Sequence, residues 1–226
     1  SALAIWAVVA FVAFVVWVPA ARRHRSAWTP VAMPRGERRS LLRNPLAWTV
    51  TLFFGCQAFM AYIVMGWLPE VFIDNGVDKM DAGLLVGLTS LIGVPVALVI
   101  APLAARRTSQ SGAIAGLGVL GVAGAIGLMV APAAQPVLWS VLIGAGMGAF
   151  AMALTVIALR ARTPTDTAQL SGMAQGLGYL IAGTGPFLFG LLHDVSHGWT
   201  VPWLMFLAVY LVQIAAGVLA GRPRFV

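Results

Sequence analysis

Asn44-Pro45-Leu46-Ala47-Trp48-Thr49-Val50 returns 91 residues later (Pro45 to Pro136) as Gln135-Pro136-Val137-Leu138-Trp139-Ser140-Val141. At the same offset, without a gap, Gly55 pairs with Gly146, Ala58 with Ala149, Phe59 with Phe150, Gly87 with Gly178 and Pro95 with Pro186. Apolar segments resemble one another by composition, but a shared Pro-x-x-Trp opening and a shared mid-segment proline at one fixed offset mark an internal repeat. Each copy holds three apolar segments long enough to cross a bilayer. Three is odd, so the second copy must cross in the opposite sense, and the repeat is an inverted one.

Outward from this repeat, apolar segments run at about 2–19, 46–68, 82–104, 112–131, 137–159, 169–192 and 201–220. A hydrocarbon core of ~30 Å needs ~20 residues of apolar helix, which each of them supplies. The composition agrees: 60% of residues are hydrophobic and 9% charged, whereas a soluble domain is roughly a quarter charged. Mean hydropathy is +0.92. The segments are too long for buried strands and lack the period-2 alternation of a membrane β-barrel. The expected fold class is therefore all-α, a polytopic transmembrane helical bundle: six helices with a three-plus-three inverted repeat, and one helix before them.

The first segment lacks a basic leader and is followed by Arg22 and Arg23, not by a small-residue cleavage site, so it reads as a true span and not a signal peptide. The stretch at 20–45 is the longest connection and carries Pro30, Pro34 and seven of the 14 basic residues, which marks a linker. The expected organisation is residues 1–19 as the last helix of a preceding half absent from this sequence, 20–45 as a cytoplasmic interdomain linker, and 46–226 as a six-helix domain.

A net charge of +7 and a pI near 11.1 suggest nucleic acid in a soluble protein, but the positions of the charges exclude that partner. Arg22, Arg23, Arg25, Arg35, Arg38, Arg39 and Arg43 precede the second span; Arg106 and Arg107 follow the third, Arg160 and Arg162 the fifth, and Arg222 and Arg224 the last. With seven spans all of these fall on one face, opposite Lys79, Glu70, Asp74, Asp78, Asp81 and Asp194. Arginine resists translocation, so the arginine face is predicted to be cytoplasmic, with Val226 on that side. The partners expected are the lipid bilayer, a small-molecule substrate and the missing half.

No Asp, Glu, Lys, Arg or His lies in the central part of any span. Intramembrane ionisable groups mark proton relays and ion pathways, so these segments hold no evident proton carrier and no carboxylate pair for acid–base chemistry. The single cysteine, Cys56, lies within a span and reads as a packing residue. His193 and His197, four apart around Asp194, have ligand-like spacing, but they sit in a loop beside Gly198 and Trp199 without a third donor, and read as a helix cap and not as a metal site. Walker, G-x-S-x-G and H-E-x-x-H motifs are absent, so neither an enzyme nor a bound cofactor is expected.

The uncharged polar residues are few: Thr51, Gln57 and Tyr62 on the second span, Thr89 and Ser90 on the third, Thr155 on the fifth, and Ser171, Gln175, Tyr179 and Thr184 on the sixth. Ser171, Gln175 and Tyr179 are spaced four apart and share one helix face. An amide facing lipid costs several kcal/mol, on the order of what any unpaired polar group costs there, so Gln57 and Gln175 are expected to face protein or a wet cavity. Tyr210 and Gln213 lie on the last span, which reads as peripheral, and are assigned to packing. Gly112 to Gly127 and Gly172 to Gly190 make two glycine-rich helices, each with a G-x-x-x-G suited to close packing. Pro95 and Pro186, with Gly93 and Gly185 beside them, are candidate hinges.

The string Asn44 to Gln57, followed by Tyr62 and Trp67-Leu68-Pro69, resembles the seventh helix of the cyanate permease and nitroimidazole transporter family of the major facilitator superfamily. Leu170-Ser171-Gly172-Met173-Ala174-Gln175-Gly176-Leu177-Gly178-Tyr179-Leu180, with Gly185-Pro186, His193-Asp194 and Gly198-Trp199, resembles its eleventh. The resemblance covers essentially the whole chain, as helices six to twelve. It implies a twelve-helix protein, secondary active or facilitative, that moves a small anion or small polar organic solute by alternating access. Pro102-Leu103-Ala104-Ala105-Arg106-Arg107 only partly echoes the superfamily's loop motif, since it lacks the Asp. In such a fold the repeat mates 46–68 and 137–159 line a central cavity, with 82–104 and 169–192 beside them. Gln57, Gln175 and Tyr179 then offer amide and hydroxyl groups to substrate, and Phe54 and Met147 an apolar wall. The competing reading is a seven-helix receptor or assembly partner that binds without translocating.

Overall fold

The computed structural model describes residues 11–15, 17–18 and 41–226, and the chain divides into two compact units, Ser1–Arg39 and Ser40–Val226. In the first unit residues 11–15 and 17–18 are helical; the rest of the expected span at 2–19, and residues 20–40 of the expected linker, lie outside the described residues.

The second unit opens with a 3-10 turn at Leu41–Arg43 and continues as α1 (Pro45–Asp74), α2 (Lys79–Ala105), α3 (Ser111–Val130), α4 (Pro136–Met147), α5 (Ala149–Arg160), α6 (Pro164–Ser196) and α7 (Thr200–Ala220). α4 and α5 are two segments of one span, interrupted at Gly148. Six stretches among the described residues are thus long and apolar enough to cross a membrane. The expected all-α bundle is what the chain forms.

The helices outrun their apolar segments because their ends are set by caps in polar sequence. Asn44 accepts at Oδ1 from the N–H groups of Leu46 (2.9 Å) and Ala47 (3.4 Å), while Pro45 takes the first helical position, where a donor is not needed. α6 starts at Pro164, ahead of the expected 169, because Thr163 and Asp166 form a reciprocal capping box. It ends at His197, a left-handed residue with φ 54°, which is the capping role expected of that loop.

The repeated tryptophan has a structural cause. Trp48 Nε1 donates to Leu42 O (2.8 Å) and Trp139 Nε1 to Ala131 O (3.0 Å), so each indole ties the first turn of its helix to the segment before it. The repeat carries through to the packing. α1 lies against α6 and α7, and the α4–α5 span lies correspondingly against α2 and α3. α1 is the central element, buried along most of its apolar length, whereas α2 is mostly exposed and leaves its outer face for lipid or another protein surface.

Glycines sort into two kinds. Gly55 and Gly178 bring the α1 and α6 backbones together, since a Cβ on Gly55 would lie 3.2 Å from Gly178 Cα. On α3, Gly118 meets Ile214, Gly121 meets Tyr210, Gly124 meets Ile143 and Gly127 meets Trp139. The two G-x-x-x-G pairs, Gly112/Gly116 and Gly172/Gly176, have nothing within 4 Å of the Cβ positions. Close packing in this unit therefore falls on other glycines than the motif suggested, mostly three apart along the face of α3 that meets α4 and α7.

Candidate functional site

Gln57 sits near the middle of α1 and is fully buried. Its repeat mate is Gly148, where the α4–α5 span breaks. The turn tightens there: Ala151 N–H donates to Gly148 O (3.2 Å), three residues back. The Met147 carbonyl is met by the Gln57 amide, whose Nε2 lies 3.5 Å from Met147 O and 3.7 Å from its Sδ. Glycine at 148 is required by crowding: an added Cβ would overlap Val96 Cγ1 on α2, one residue beyond Pro95. On its other side Gln57 Oε1 accepts from Gln213 Nε2 of α7 at 3.0 Å.

One turn before Gln57, Phe54 is buried in a run of aromatic rings. Its centroid is 5.4 Å from Phe150 and 5.2 Å, edge-on, from Tyr179. Tyr179 in turn stacks on Tyr62 at 6.3 Å with the planes 13° apart. Phe54 and Phe150 are buried or half-buried, whereas Tyr62 and Tyr179 are each 40% exposed, so the run leads from the bundle interior to the surface of the unit. Pro186 carries a further cross-link, since its carbonyl accepts from Trp67 Nε1 at 2.8 Å.

Of the residues expected at the site, Gln57 with Met147 and Phe54 with Tyr179 come together on adjoining turns. Gln175 does not join them: its Nε2 donates to Ser171 Oγ of its own helix at 2.6 Å. Its side chain is half-buried, and this donated bond stays within α6. The last span differs from its expected peripheral place, although its two polar residues do pack. Tyr210 and Gln213 are fully buried, so α7 is not peripheral at this depth; Gln213 pairs with Gln57, and the Tyr210 hydroxyl is wedged where a Cβ on Gly121 or Gly146 would stand. A tyrosine and a glutamine three apart in an otherwise apolar span are the signal that both belong on one inward face.

The two ends of the unit differ in chemistry. Arg160, expected in a loop, is buried at the end of α5, where its Nη2 donates to Gln110 Oε1 and to Gly221 O (3.3 Å). Gln110 Nε2 donates in turn to Ala104 O (3.1 Å) and Arg107 O (2.8 Å), so the arginine-bearing ends of α2, α5 and α7 are tied together. At the opposite end Trp199 Nε1 donates to Asp74 Oδ2 (3.2 Å), and its ring lies 3.9 Å from that of His193.

The chain belongs to the Major Facilitator Superfamily, whose profile matches residues 1–182, and it is a multi-pass membrane protein. It is similar to the 2-nitroimidazole transporter of Escherichia coli, with 37% identity over 215 residues, 94% of this chain and 54% of that protein. The cyanate transport protein CynX of the same organism is 30% identical over 207 residues, 89% of this chain and 52% of that one. The uncharacterized transporter YycB of Bacillus subtilis is 34% identical over 228 residues, 100% of this chain and 56% of its own length. The chain spans about half the length of the curated relatives it matches.

Proposed function

We propose that residues 46–226 form the six-helix half of a secondary active or facilitative transporter, not an enzyme, and that it moves a small anion or small polar organic solute by alternating access. The observation that carries this reading is that a buried amide, Gln57, faces the break in the α4–α5 span that is its own repeat mate. Interrupted helices and inverted repeats are the devices by which transporters build a midplane site and exchange it between two faces of the membrane. Phe54, Gln57, Met147 and Tyr179 make a face with apolar rings and neutral polar groups, and Gln175 lies one turn from Tyr179 on the same exposed side of α6. Solutes named for the relatives, cyanate and 2-nitroimidazole, are of the size and polarity such a face accepts.

In this reading the preceding half closes the cavity from the side where Tyr62 and Tyr179 are exposed, the arginine-bearing ends lie in the cytoplasm of a cell with this protein in its plasma membrane, and the C-terminus is cytoplasmic. Pro95 and Pro186 act as hinges. The test is uptake of cyanate and 2-nitroimidazole by the full-length protein carrying Gln57→Ala, Gln175→Ala or Tyr179→Phe, each matched for membrane abundance. Loss of one hydrogen bond to solute should weaken apparent affinity by about 2- to 10-fold. Unchanged kinetics in all three variants would refute the site.

A further inference from the structure

The Gln57 amide can be turned two ways, and its neighbours choose between them. With its oxygen toward Met147, two carbonyl oxygens would oppose one another; with Nε2 there, the amide is a donor to both Met147 O and Sδ. Its Oε1 therefore points to α7 and requires a donor, which Gln213 Nε2 supplies at 3.0 Å. This arrangement is a poor device for stability alone. Gln213 is fully buried, and its own Oε1 has no hydrogen-bond partner among the described residues, an arrangement that an apolar pair of similar volume would avoid. On the other side of Gln57, the contacts to Met147 at 3.5 and 3.7 Å are at the outer limit of hydrogen-bond geometry. Those N–H groups are held in place but weakly engaged, beneath a half-buried thioether side chain that moves aside easily.

We infer that Gln213 is a positioning residue that holds Gln57 as a hydrogen-bond donor, so that the site takes solutes through acceptor atoms: carboxylate, nitro or cyanate-like groups. The inference rests on the reading of Gln57 as part of the solute site. Gln213 does not reach the solute; it acts by occupying Gln57 Oε1, so that only N–H faces the break at Gly148. A solute that presents only donors, such as an alkylammonium or guanidinium, meets no acceptor on the Gln57 side chain.

The experiment is ligand-induced thermal stabilisation of the purified full-length protein across two sets of probes: cyanate, acetate, benzoate and 2-nitroimidazole, against methylammonium and guanidinium at equal low concentration. At least one member of the first set should stabilise the wild type and none of the second. Stabilisation by the second set alone, or by neither, overturns the inference. With the best probe, Gln213→Met should raise the half-saturating concentration about 3- to 10-fold, the loss of one well-aimed hydrogen bond. The double variant Gln57→Ala/Gln213→Met should bind no more weakly than Gln57→Ala, since Gln213 acts through Gln57; additive losses would overturn the inference. A merely structural role would lower the melting temperature without probe and leave half-saturation in place. If Gln57→Ala weakens binding and Gln213→Met does not, this inference fails and the site stands; if Gln57→Ala has no effect, the site itself fails. Should Gln213→Met not reach the membrane, Gln213→Asn, one methylene too short to reach Gln57, carries the same expectations.

Discussion

Replacing Gly178 and Gly176 by alanine, one at a time, separates the contribution of a helix contact from that of helix propensity. Both lie in α6, two residues apart. A Cβ on Gly178 would stand 2.7 Å from Phe54 Cδ1 and 3.3 Å from Gly55 Cα and N, while one on Gly176 would meet nothing within 4 Å. Phe54 has little room to yield, because it is fully buried and its ring is held between Phe150 and Tyr179. Gly55 offers only backbone, so α6 must shift. Overpacking of this kind costs about 1–3 kcal/mol, and alanine returns up to ~1 kcal/mol of helix propensity at either position. That return cancels between the two variants, and their difference reads the α1–α6 contact alone, at about 1–3 kcal/mol. Thermal unfolding of the full-length protein in detergent, followed by size-exclusion chromatography, should place Gly178→Ala several degrees below Gly176→Ala, on the order of 2–4 °C per kcal/mol. Gly176→Ala should match or exceed the wild type. Equal melting temperatures for the two would refute the assignment of this helix crossing.

Two other outcomes are expected. Single cysteines in a Cys56→Ala background should react with an impermeant maleimide from outside at position 78 and be protected at 106 and 162; labelling at 106 with protection at 78 would invert the proposed topology. Pro95→Ala and Pro186→Ala restore the backbone donors that proline removes in mid-helix, so each should slow solute turnover by several-fold, on the order of the 1 kcal/mol that one net hydrogen bond contributes, with apparent affinity unchanged; full-speed transport by both would remove the prolines from the conformational change.

The extent to which the sequence could be read depended on which physical signal each feature left. The bundle and its repeat were legible because bilayer thickness imposes a length on every span and a proline-tryptophan opening leaves its mark at a fixed offset. Trp48 and Trp139 bear this out with matching bonds to the segments that precede them. Helix limits were less legible, since hydropathy reports the apolar middle, while Thr163, Asp166 and His197 place the ends of α6 in polar sequence. The burial of Gln57 was legible as well: a glutamine in an apolar span must find partners, and Gln57 does.

The identity of those partners was not legible, because hydrogen-bonding need is a property of one residue and its satisfaction a property of two. Gln175 could be satisfied by Ser171 within its own helix, and Gln57 by Gln213 from a helix 156 positions away in sequence separation; composition and spacing do not distinguish these solutions. The same holds for the glycines. By itself the sequence determined that this is a membrane-spanning helical repeat with few polar groups at its centre, since these follow from transfer free energies summed along single segments. Only the tertiary structure decided that α7 turns Tyr210 and Gln213 inward, that the tenth-scale detail of close packing falls on Gly55, Gly178 and the α3 glycines, and that the span facing Gln57 breaks at Gly148, because each depends on which helix faces come together, and that is fixed by packing between segments distant in the chain.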